Sequence, residues 1–365
     1  MRRRVLTLGA ALVLALTIAI PVTASSPPFT VIAGGLHNPR GLTFGPGGRL
    51  YVAEAGTGTG GAVPHVGHDG AILEITDPAG ASPSLRTVVS GLLSLGSPEG
   101  DVLGVDGISA HGNGGIYAIM GESPDASGQA GAGALWKVTT GGSAKMVANV
   151  GATDYAWTAA HAGLVPGQFP DANPYGILAL PDRQYVADAG SNTLDAVLAD
   201  GTVQVLAFFP NDPISDATPT CVAQGPDGAL YVGTLDLVAS AVLGPSAKVY
   251  RIDPATLSGH QVRMLGPADV WASGLEPING CAFGPNGALY VSQLFTSISI
   301  GPNGPQPAGG DVVKLPFAHP ATHVSLTGGS LPLAGGVTVA GDGTVYAVGL
   351  TAFAPTGFVA RLTER

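Results

Sequence analysis

The feature that most constrains the fold is a hairpin-like pattern that occurs six times along the chain. Each copy has a short apolar segment, a turn rich in glycine with proline, aspartate or asparagine, and a second apolar segment with a tyrosine in a fixed place. Asp-Gly and Asn-Gly turns tolerate the positive φ that tight hairpins need, so each copy is predicted to form a β-hairpin. The copies are Gly41–Glu54, Gly107–Tyr117, Gly176–Asp188, Cys221–Tyr231, Gly280–Tyr290 and Gly336–Tyr346.

A third apolar segment follows every copy, and a fourth follows most of them. The third segments are Ala71–Ile75, Ala134–Val138, Leu194–Leu198, Lys248–Ile252, Asp311–Leu315 and Phe358–Leu362. The clearest fourth segments are Arg86–Val89, Lys145–Ala148 and Val203–Leu206. Four antiparallel strands repeated radially are typical of propeller blades. We therefore predict an all-β fold, a six-bladed β-propeller of four-stranded antiparallel blades.

The two ends of the chain are predicted to meet in one blade. The sixth copy has only three strands, whereas Phe29–Leu36 has the pattern of a fourth strand. Closure of the last blade by this N-terminal strand removes exposed sheet edges and makes residues 25–365 a single domain. Irregular spacing between the repeat tyrosines marks insertions, where binding specificity is expected. The insertions are 54–70, 91–106, 121–133, 151–175, 234–247 and 294–310. A short helix is predicted over Asp154–Ala162, within the fourth of them.

Residues 1–24 have the features of an export signal: Arg2–Arg4, the apolar run Val5–Ile20 and the small-residue site Val22–Ala24. A membrane anchor is the alternative, but the cleavage site follows the apolar run at once. Cleavage would remove three of the 15 basic residues and none of the 25 acidic ones, which leaves a net charge of −13. This charge argues against nucleic acids and anionic membranes as partners. We expect a secreted extracellular monomer with no membrane span.

Two sets of polar residues are predicted to gather at one mouth of the propeller channel. The residue three positions after each repeat tyrosine should be structurally equivalent in every blade; these are Glu54, Met120, Asp188, Thr234, Gln293 and Gly349. Oxygen-bearing side chains also precede several first strands; these are Asn38, Asp106, Asn173 and Asn279. The candidate ligand-binding residues at the mouth are therefore Asn38, Glu54, Asp106, Asn173, Asp188, Asn279 and Gln293.

Converging carboxylates and amides suit Ca²⁺, which takes six to eight oxygen ligands. Calcium-dependent lactonases on six-bladed propellers use such an arrangement, and in this interpretation Glu54, Asn173 and Asp188 hold the metal. The alternative is that these side chains cap turns through neighbouring backbone amides. We favour turn capping because only two of the six positions after the tyrosines are carboxylates. Calcium is thus an alternative cofactor, and none is assured.

Other reactive side chains give weaker signals. His65 and His68 have the spacing of zinc ligands but lack further ligands nearby. A Gly-x-Ser-x-Gly nucleophile elbow is absent from the sequence. Cys221 and Cys281, the only cysteines, fall in first strands of adjacent blades, which suggests a disulfide in an exported protein. Their positions in the repeat differ by one residue, so the geometry leaves the pairing open.

The segments Asp171–Gly176 and Tyr185–Asn192 resemble the NHL type of propeller repeat. Together with Leu36–Gly41 and Tyr51–Gly56, they resemble the ScyD/ScyE family over essentially the whole mature chain. This resemblance implies secretion and a propeller fold but no activity. Family members open the second blade with a His-Asp pair where this chain has Val105 and Asp106, so a site built on that histidine does not transfer.

Two classes of function follow from these observations. The first is an extracellular binding or scaffold protein for a small molecule, glycan or protein. The second is a calcium-dependent, lactonase-like hydrolase with the metal at the propeller axis. We favour the first because the sequence contains no complete set of catalytic residues or metal ligands.

Overall fold

The computed structural model describes residues 28–97, 100–111, 115–163, 169–211, 214–258, 261–301, 304–354 and 356–363. The predicted export signal, residues 1–24, lies outside the described residues. Within these ranges the strands form six blade-like sheets and one separate two-stranded hairpin. The six-bladed β-propeller predicted from the repeats is confirmed.

The N-terminal strand, β1, is Phe29–Leu36. The strands of blade one are β2 (Pro39–Phe44), β3 (Leu50–Glu54), β4 (Val66–Thr76), β5 (Ser84–Gly96) and a short fifth strand, β6 (Val102–Leu103). The strands of blade two are β7 (Val105–His111), β8 (Gly115–Met120), β9 (Ala134–Val138) and β10 (Ala144–Asn149). Two helices accompany blade two: α1 (Pro124–Ser127) between β8 and β9, and α2 (Val150–Ala160) after β10.

The strands of blade three are β11 (Pro174–Ala179), β12 (Arg183–Asp188), β13 (Thr193–Leu198) and β14 (Val203–Phe208). The strands of blade four are β15 (Pro219–Gln224), β16 (Leu230–Thr234), β17 (Ala247–Ile252) and β19 (Val270–Leu275), with helix α3 (Leu237–Leu243) after β16. The connection between β17 and β19 contains β18 (Arg263–Met264), which pairs in parallel with β14 as a fifth strand of blade three.

The strands of blade five are β20 (Ile278–Phe283), β21 (Leu289–Gln293), β24 (Asp311–Leu315) and β25 (Val324–Ser325). The separate hairpin, β22 (Ser297–Gly301) and β23 (Gly304–Ala308), lies in the connection from β21 to β24. The strands of blade six are β26 (Val337–Val339), β27 (Val345–Gly349), β28 (Gly357–Leu362) and β1. β1 pairs antiparallel with β28. The predicted closure of the last blade by the N-terminal strand is therefore confirmed.

The repeat tyrosines hold neighbouring blades together. The ring of Tyr346 in blade six packs edge-on against Phe44 of blade one, with centroids 5.5 Å apart. Tyr231 of blade four makes the same contact with Phe283 of blade five at 4.9 Å. Such edge-to-face pairs are favourable beyond the apolar area that they bury. The fixed aromatic of each repeat thus serves the contact between blades.

The repeat glycines allow the first strands to approach each other around the axis. A Cβ atom on Gly107 would lie 2.3 Å from the carbonyl oxygen of Tyr175 in the next blade. A Cβ atom on Gly336 would lie 2.6 Å from the carbonyl oxygen of Arg40. Because these neighbours are backbone atoms, they cannot move aside as a side chain could. Glycine at the start of the first strand therefore sets how narrow the central channel is.

Several insertions are more regular than the sequence analysis predicted. The helix predicted over Asp154–Ala162 exists but runs over Val150–Ala160, where Asn149 caps its N-terminus by accepting from the Ala152 amide at 2.8 Å. Helix α3 and the β22–β23 hairpin lie in segments that we expected to be loops. Their short length and lack of a strong periodic pattern gave no signal in the sequence. No helix in the described ranges is long and apolar enough to cross a membrane.

Candidate functional site

The first strands of the six blades surround a small axial channel with a volume of about 70 Å³. Its wall is formed by β2, β7, β11, β15, β20 and β26. The residue before the repeat glycine has a polar side chain in five of the six blades; in blade four Cys221 stands in place of this glycine. These residues are Arg40, Asp106, Tyr175, Thr220 and Asn279. This ring is the polar part of a channel whose remaining wall is glycine and apolar side chains, so it is the candidate site.

Arg40 is the only basic residue of the channel wall, and it is 5% exposed. Its Nη2 atom donates to Asp101 Oδ1 at 2.7 Å and to the carbonyl oxygen of Val102 at 2.5 Å. Its Nε atom lies 3.5 Å from Asp106 Oδ1 and has no hydrogen-bond partner within the described structure. Burial by itself lowers the pKa of Arg40, but Asp101, Tyr175 and Asp106 more than offset this and raise it. Arg40 is therefore a fixed positive charge with one donor directed at Asp106.

Asp106 is 1% exposed, and neither of its carboxylate oxygens has a hydrogen-bond partner of good geometry within the described structure. Burial raises its pKa to about 7; Asp101 adds to this rise, and Arg40 opposes it. Burial also raises the pKa of Tyr175 to about 12, and its hydroxyl group interacts with Arg40. Charged and polar atoms buried without partners are costly unless something binds them. Asp106 and the Arg40 Nε atom form an ion pair at 3.5 Å that is open to a further hydrogen-bond partner, such as a ligand or ordered water.

The other two polar side chains of the ring are used between blades. Thr220 Oγ1 donates to the carbonyl oxygen of Ile278 in blade five at 2.6 Å. Asn279 Nδ2 donates to the carbonyl oxygen of Ala334 at 3.3 Å. These bonds stabilise the contacts of blades four, five and six, whereas Arg40, Asp106 and Tyr175 lie on the opposite side of the wall.

Cys221 and Cys281 form a disulfide between the first strands of blades four and five, with Cα atoms 5.7 Å apart. Cys221 takes the place of the repeat glycine. In blade one the same position lies against the residue after the glycine of the next blade, since a Cβ atom on Gly41 would lie 2.9 Å from the backbone nitrogen of Ile108. Cys281 follows Gly280, so the one-residue offset in the sequence places the two cysteines opposite each other.

The positions three residues after the repeat tyrosines are equivalent, as expected. Each is the last residue of a second strand, and in blades one to five it pairs with the first residue of the first strand, as Glu54 does with Pro39 and Asp188 with Pro174. We call this end of the propeller the mouth rim. None of the six lines the axial channel. They lie on the second strand of each blade, one strand further from the axis than the channel wall. In blade five this position is Gln293, which is 7% exposed.

Backbone amide groups hold the carboxylates of the mouth rim. Glu54 Oε1 accepts from the His37 amide at 2.5 Å. Asp188 Oδ1 accepts from the amides of Asn173, Gly190 and Ser191 at 2.8, 2.9 and 2.9 Å. These contacts have the pattern of turn capping, the alternative that we favoured for these residues.

The two asparagines that precede first strands also bind backbone. Asn38 Nδ2 donates to the carbonyl oxygen of Gly56 at 2.9 Å. Asn173 Oδ1 accepts from the Glu122 amide at 2.9 Å. Asp106 and Asn279 belong to the channel wall, whereas Asn38 and Asn173 lie two residues earlier in their repeats, at the rim.

The residues of the calcium hypothesis come from two blades. Asn173 and Asp188 are neighbours in blade three, but Glu54 is in blade one, where its electrostatic neighbours are His37 and Asp69. Among the residues that the structure describes, no group of three or more His, Cys, Asp or Glu side chains has an arrangement that could hold a metal ion. Glu54 Oε1, Asn173 Oδ1 and Asp188 Oδ1 each accept from backbone amides, so the described residues show no Ca²⁺ site at these three positions.

The sequence analysis did not identify Arg40 or Tyr175 as site residues. Both immediately precede the repeat glycine, as Asp106 and Asn279 do. An alignment of the six copies on that glycine would have placed all four at one level of the channel. The sequence analysis grouped Asn38, Asp106, Asn173 and Asn279 by their distance from the first strand. This grouping combined residues of the channel wall with residues of the mouth rim.

Two larger grooves, of about 440 and 460 Å³, lie between neighbouring blades away from the axis. One contains Tyr290 with Lys314 over its ring at 5.8 Å, and the other contains Tyr117 with Lys137 over its ring at 5.6 Å. Equivalent repeat residues build both grooves. They are therefore a general consequence of how blades pack, whereas the Arg40 and Asp106 pair occurs at one place.

Comparison with known proteins agrees with the fold. No protein-family model and no curated protein sequence matches the chain. Similar solved structures include a proposed glucose dehydrogenase of Thermus thermophilus, with a TM-score of 0.51 at 17% identity over 92% of this chain and 99% of that one. They also include a gluconolactonase of Xanthomonas campestris, with a TM-score of 0.50 at 11% identity over 92% and 89% of the two chains. Virginiamycin B lyase of Staphylococcus aureus has a TM-score of 0.42 at 12% identity over 87% and 80%. The first two similarities support the β-propeller fold, and at these identities none of the three assigns an activity.

Proposed function

We propose that the protein is an extracellular binding propeller that holds a small hydroxyl-bearing molecule at the mouth of the axial channel, against Arg40, Asp106 and Tyr175. The observation that carries this proposal is the buried ion pair of Arg40 Nε and Asp106 Oδ1, 3.5 Å apart, in which the two atoms do not reach hydrogen-bond distance of each other with good geometry. A hydroxyl group is both donor and acceptor, so one hydroxyl can donate to the carboxylate and accept from the guanidinium group.

The size of the channel limits how a ligand enters. A volume of about 70 Å³ admits a hydroxyl or hydroxymethyl group rather than a whole sugar ring. The body of the ligand would therefore remain at the mouth rim, among the connections between blades. Water has the same hydrogen-bonding capacity as a hydroxyl group, so binding would displace water from these two residues.

Binding can be tested by calorimetric titration of a panel of polyols, monosaccharides and sugar lactones. Above about pH 7, where Asp106 is ionised, Asp106→Asn should weaken the affinity for any ligand that binds by about tenfold or more, because a charged acceptor is replaced by a neutral one. Asp182→Asn is the matched control, since Asp182 pairs with Arg183 at 2.8 Å on the surface, away from the channel. Equal affinity in the wild type and in Asp106→Asn would place the site elsewhere.

A second candidate is an acid–base enzyme of the lactonase-like class, without calcium. The observation that favours it is the pKa of Asp106, raised by burial to about 7, which suits a general base at neutral pH. In ester or lactone hydrolysis Asp106 would accept a proton from the attacking water, while Arg40 would stabilise the negative charge that develops on the carbonyl oxygen. Turnover of a lactone that Asp106→Asn abolishes without loss of ligand binding would favour the enzyme; binding without turnover in the wild type would favour the binding protein.

Export and family membership belong to the same proposal. The basic, apolar and small-residue parts of residues 1–24 support cleavage before Ser25 and release of the mature protein. The motifs around Asn38 and Asn173 support membership of the ScyD/ScyE family. N-terminal sequencing of the exported protein tests the first point: a mature chain that begins near Ser25 supports secretion, and a retained apolar segment supports an anchor.

A further inference from the structure

Three aspartates, Asp154, Asp188 and Asp195, meet inside blade three, and each is 0% exposed. Asp188 ends β12 and Asp195 lies in β13, whereas Asp154 comes from the insertion helix α2. Asp154 is the only ionisable residue on the buried face of α2. The helix is therefore attached to blade three in part through carboxyl groups.

The hydrogen bonds of this cluster can be counted atom by atom. Backbone amides occupy Asp188 Oδ1, and Thr193 Oγ1 donates to Asp195 Oδ2 at 2.9 Å. No donor within the described structure serves the remaining four oxygens, which are Asp188 Oδ2, Asp195 Oδ1 and both oxygens of Asp154. Asp188 and Asp195 are the carboxyl groups that act on Asp154, and one hydrogen bond from Asp154 to each of them would give all four oxygens a partner. Since an ionised carboxylate only accepts, each of these two bonds requires a proton on one of its partners.

We propose that Asp154, Asp188 and Asp195 share two protons and form a pH-sensitive latch that holds α2 on blade three. In this arrangement Asp195 donates to Asp154, and Asp154 donates to Asp188. Asp188 is the natural anion of the three because its other oxygen already accepts three amide hydrogen bonds. All four remaining oxygens then have partners, and the cluster carries one negative charge instead of three.

The electrostatic environment supports retention of the protons. Burial, followed by the charges of Asp195 and Asp188, raises the pKa of Asp154 well above its ordinary range. Burial and then Asp188 raise the pKa of Asp195 in the same way, and they outweigh the opposing effects of Thr193 and Asp154. At the rim nearby, Glu122 and Asp171 are also acidic, and burial together with Asp188 raises the pKa of each. The surrounding charges therefore favour neutral carboxyl groups.

The elements packed against α2 are α1, β9, β13 and β14. The charged side chain of α1 is Asp125, which is exposed. The charged side chain of β9 is Lys137, which lies over the ring of Tyr117. Strand β13 contributes Asp195 itself, and β14 contains no charged residue. Among the ion pairs of the described residues, none supplies a cation to the cluster.

The latch is connected to the channel mouth. Asp188 holds the amide of Asn173, and Asn173 Oδ1 accepts from the amide of Glu122. A Cβ atom on Gly121 would lie within 2.2 Å of Asp106 Oδ2 and 2.7 Å of Asn173 Oδ1, so both oxygens lie against this glycine. Release of α2 would thus loosen the rim beside Asp106. This inference does not depend on the proposed ligand, because the state of the helix can be measured in the free protein.

The sign of the pH dependence follows from the raised pKa values. The docked state holds protons that an undocked, solvated cluster releases above the ordinary aspartate range. Docking is therefore complete at acid pH and is lost as the pH rises through the raised values. In this window the equilibrium constant for opening should increase by about tenfold per pH unit for each proton released.

Hydrogen exchange of the α2 amides, corrected for intrinsic exchange rates, tests this in the mature protein at about pH 5, 6 and 7. We expect the corrected opening of α2 to rise steeply with pH, while β12 and β13 stay protected. In Asp154→Asn the amide group donates to Asp188 without a titrating proton, so the slope should fall by one proton, about tenfold per pH unit. Asp125→Asn, an exposed aspartate of the adjacent helix, should keep the wild-type slope.

Either of two results would overturn the proposal. The first is a slope close to zero in the wild type, or one that Asp154→Asn leaves unchanged. The second is protection of α2 that depends on a divalent cation: if EDTA releases the helix and Ca²⁺ or Mn²⁺ restores it at constant pH, the cluster holds a metal instead of protons. An infrared band of a protonated carboxyl group at neutral pH, absent in Asp154→Asn, would support the shared protons independently.

Discussion

The substitution Asp106→Asn gives the most direct test of the electrostatics of the axial channel. Asparagine keeps the shape of the side chain and removes its titration. In the folded protein burial raises the pKa of Asp106 to about 7, with Asp101 adding to the rise and Arg40 opposing it. In the unfolded chain the pKa returns to about 3.9. The folded state therefore holds a proton that the unfolded state has already released between these two values.

The size of the effect follows from this difference. Where the folded state binds one more proton than the unfolded state, the free energy of unfolding falls by about 1.4 kcal/mol per pH unit as pH rises. The contribution of Asp106 is thus fully present below about pH 4 and is lost as pH rises through about 7. From about pH 5 to 8 the wild type should lose about 3 kcal/mol through this group. The Asp106→Asn variant should not show this loss of unfolding free energy, because asparagine does not titrate.

Urea unfolding of the two proteins at about pH 5 and 8, with the disulfide intact, measures the difference. We expect the variant to gain about 3 kcal/mol relative to the wild type over this range. Effects of the substitution on packing or on Arg40 do not depend on pH and cancel in the comparison. Asp182→Asn, an aspartate of a surface ion pair, should show a change of no more than about 0.5 kcal/mol. A flat difference for Asp106→Asn would show that the carboxyl group titrates normally and would refute the reasoning.

Two further predictions concern closure of the propeller. Reduction of the disulfide between Cys221 and Cys281, which are 60 residues apart, should lower the free energy of unfolding by about 4 kcal/mol. The double variant Cys221→Ser and Cys281→Ser should be insensitive to reductant. An equal response of the wild type and the double variant to reductant would contradict the disulfide. Leu36→Ala should cost about 3 kcal/mol in thermal or urea unfolding because Leu36, at the end of β1, is 2% exposed, whereas Val31→Ala on the same strand, 50% exposed, should cost about 0.5 kcal/mol or less. Similar costs for the two would mean that β1 does not seal blade six as described.

Most of the fold could be predicted because its signals are local and repeated. Turn chemistry and a period of two residues fix each hairpin within about a dozen residues, and six copies average out the irregular ones. Two third strands, Ala134–Val138 and Asp311–Leu315, match the predicted bounds. Closure by Phe29–Leu36 was predictable because the sixth repeat lacked a fourth strand and this N-terminal strand belonged to no other repeat.

The candidate site was less accessible to this reasoning. The equivalence of Glu54, Asp188 and Gln293 was correct, since the repeat fixes their place at the end of a second strand. Which atoms they face depends on how the connections fold back, and backbone amides occupy the oxygens of Glu54 and Asp188 described above. Sequence alone therefore identified the rim but not the contacts made there.

The sequence by itself determined the number of blades, the order of their strands and the joining of the two ends, because these follow from short-range patterns repeated along the chain. Only the tertiary structure decided which side chains meet. Arg40 and Asp106 come from different blades, and Asp154 reaches Asp188 and Asp195 from an insertion helix. Their pKa values depend on burial and on charges that are distant in the chain but close in space. No local pattern records these distances, so the chemistry of this propeller is decided by how its blades and insertions pack.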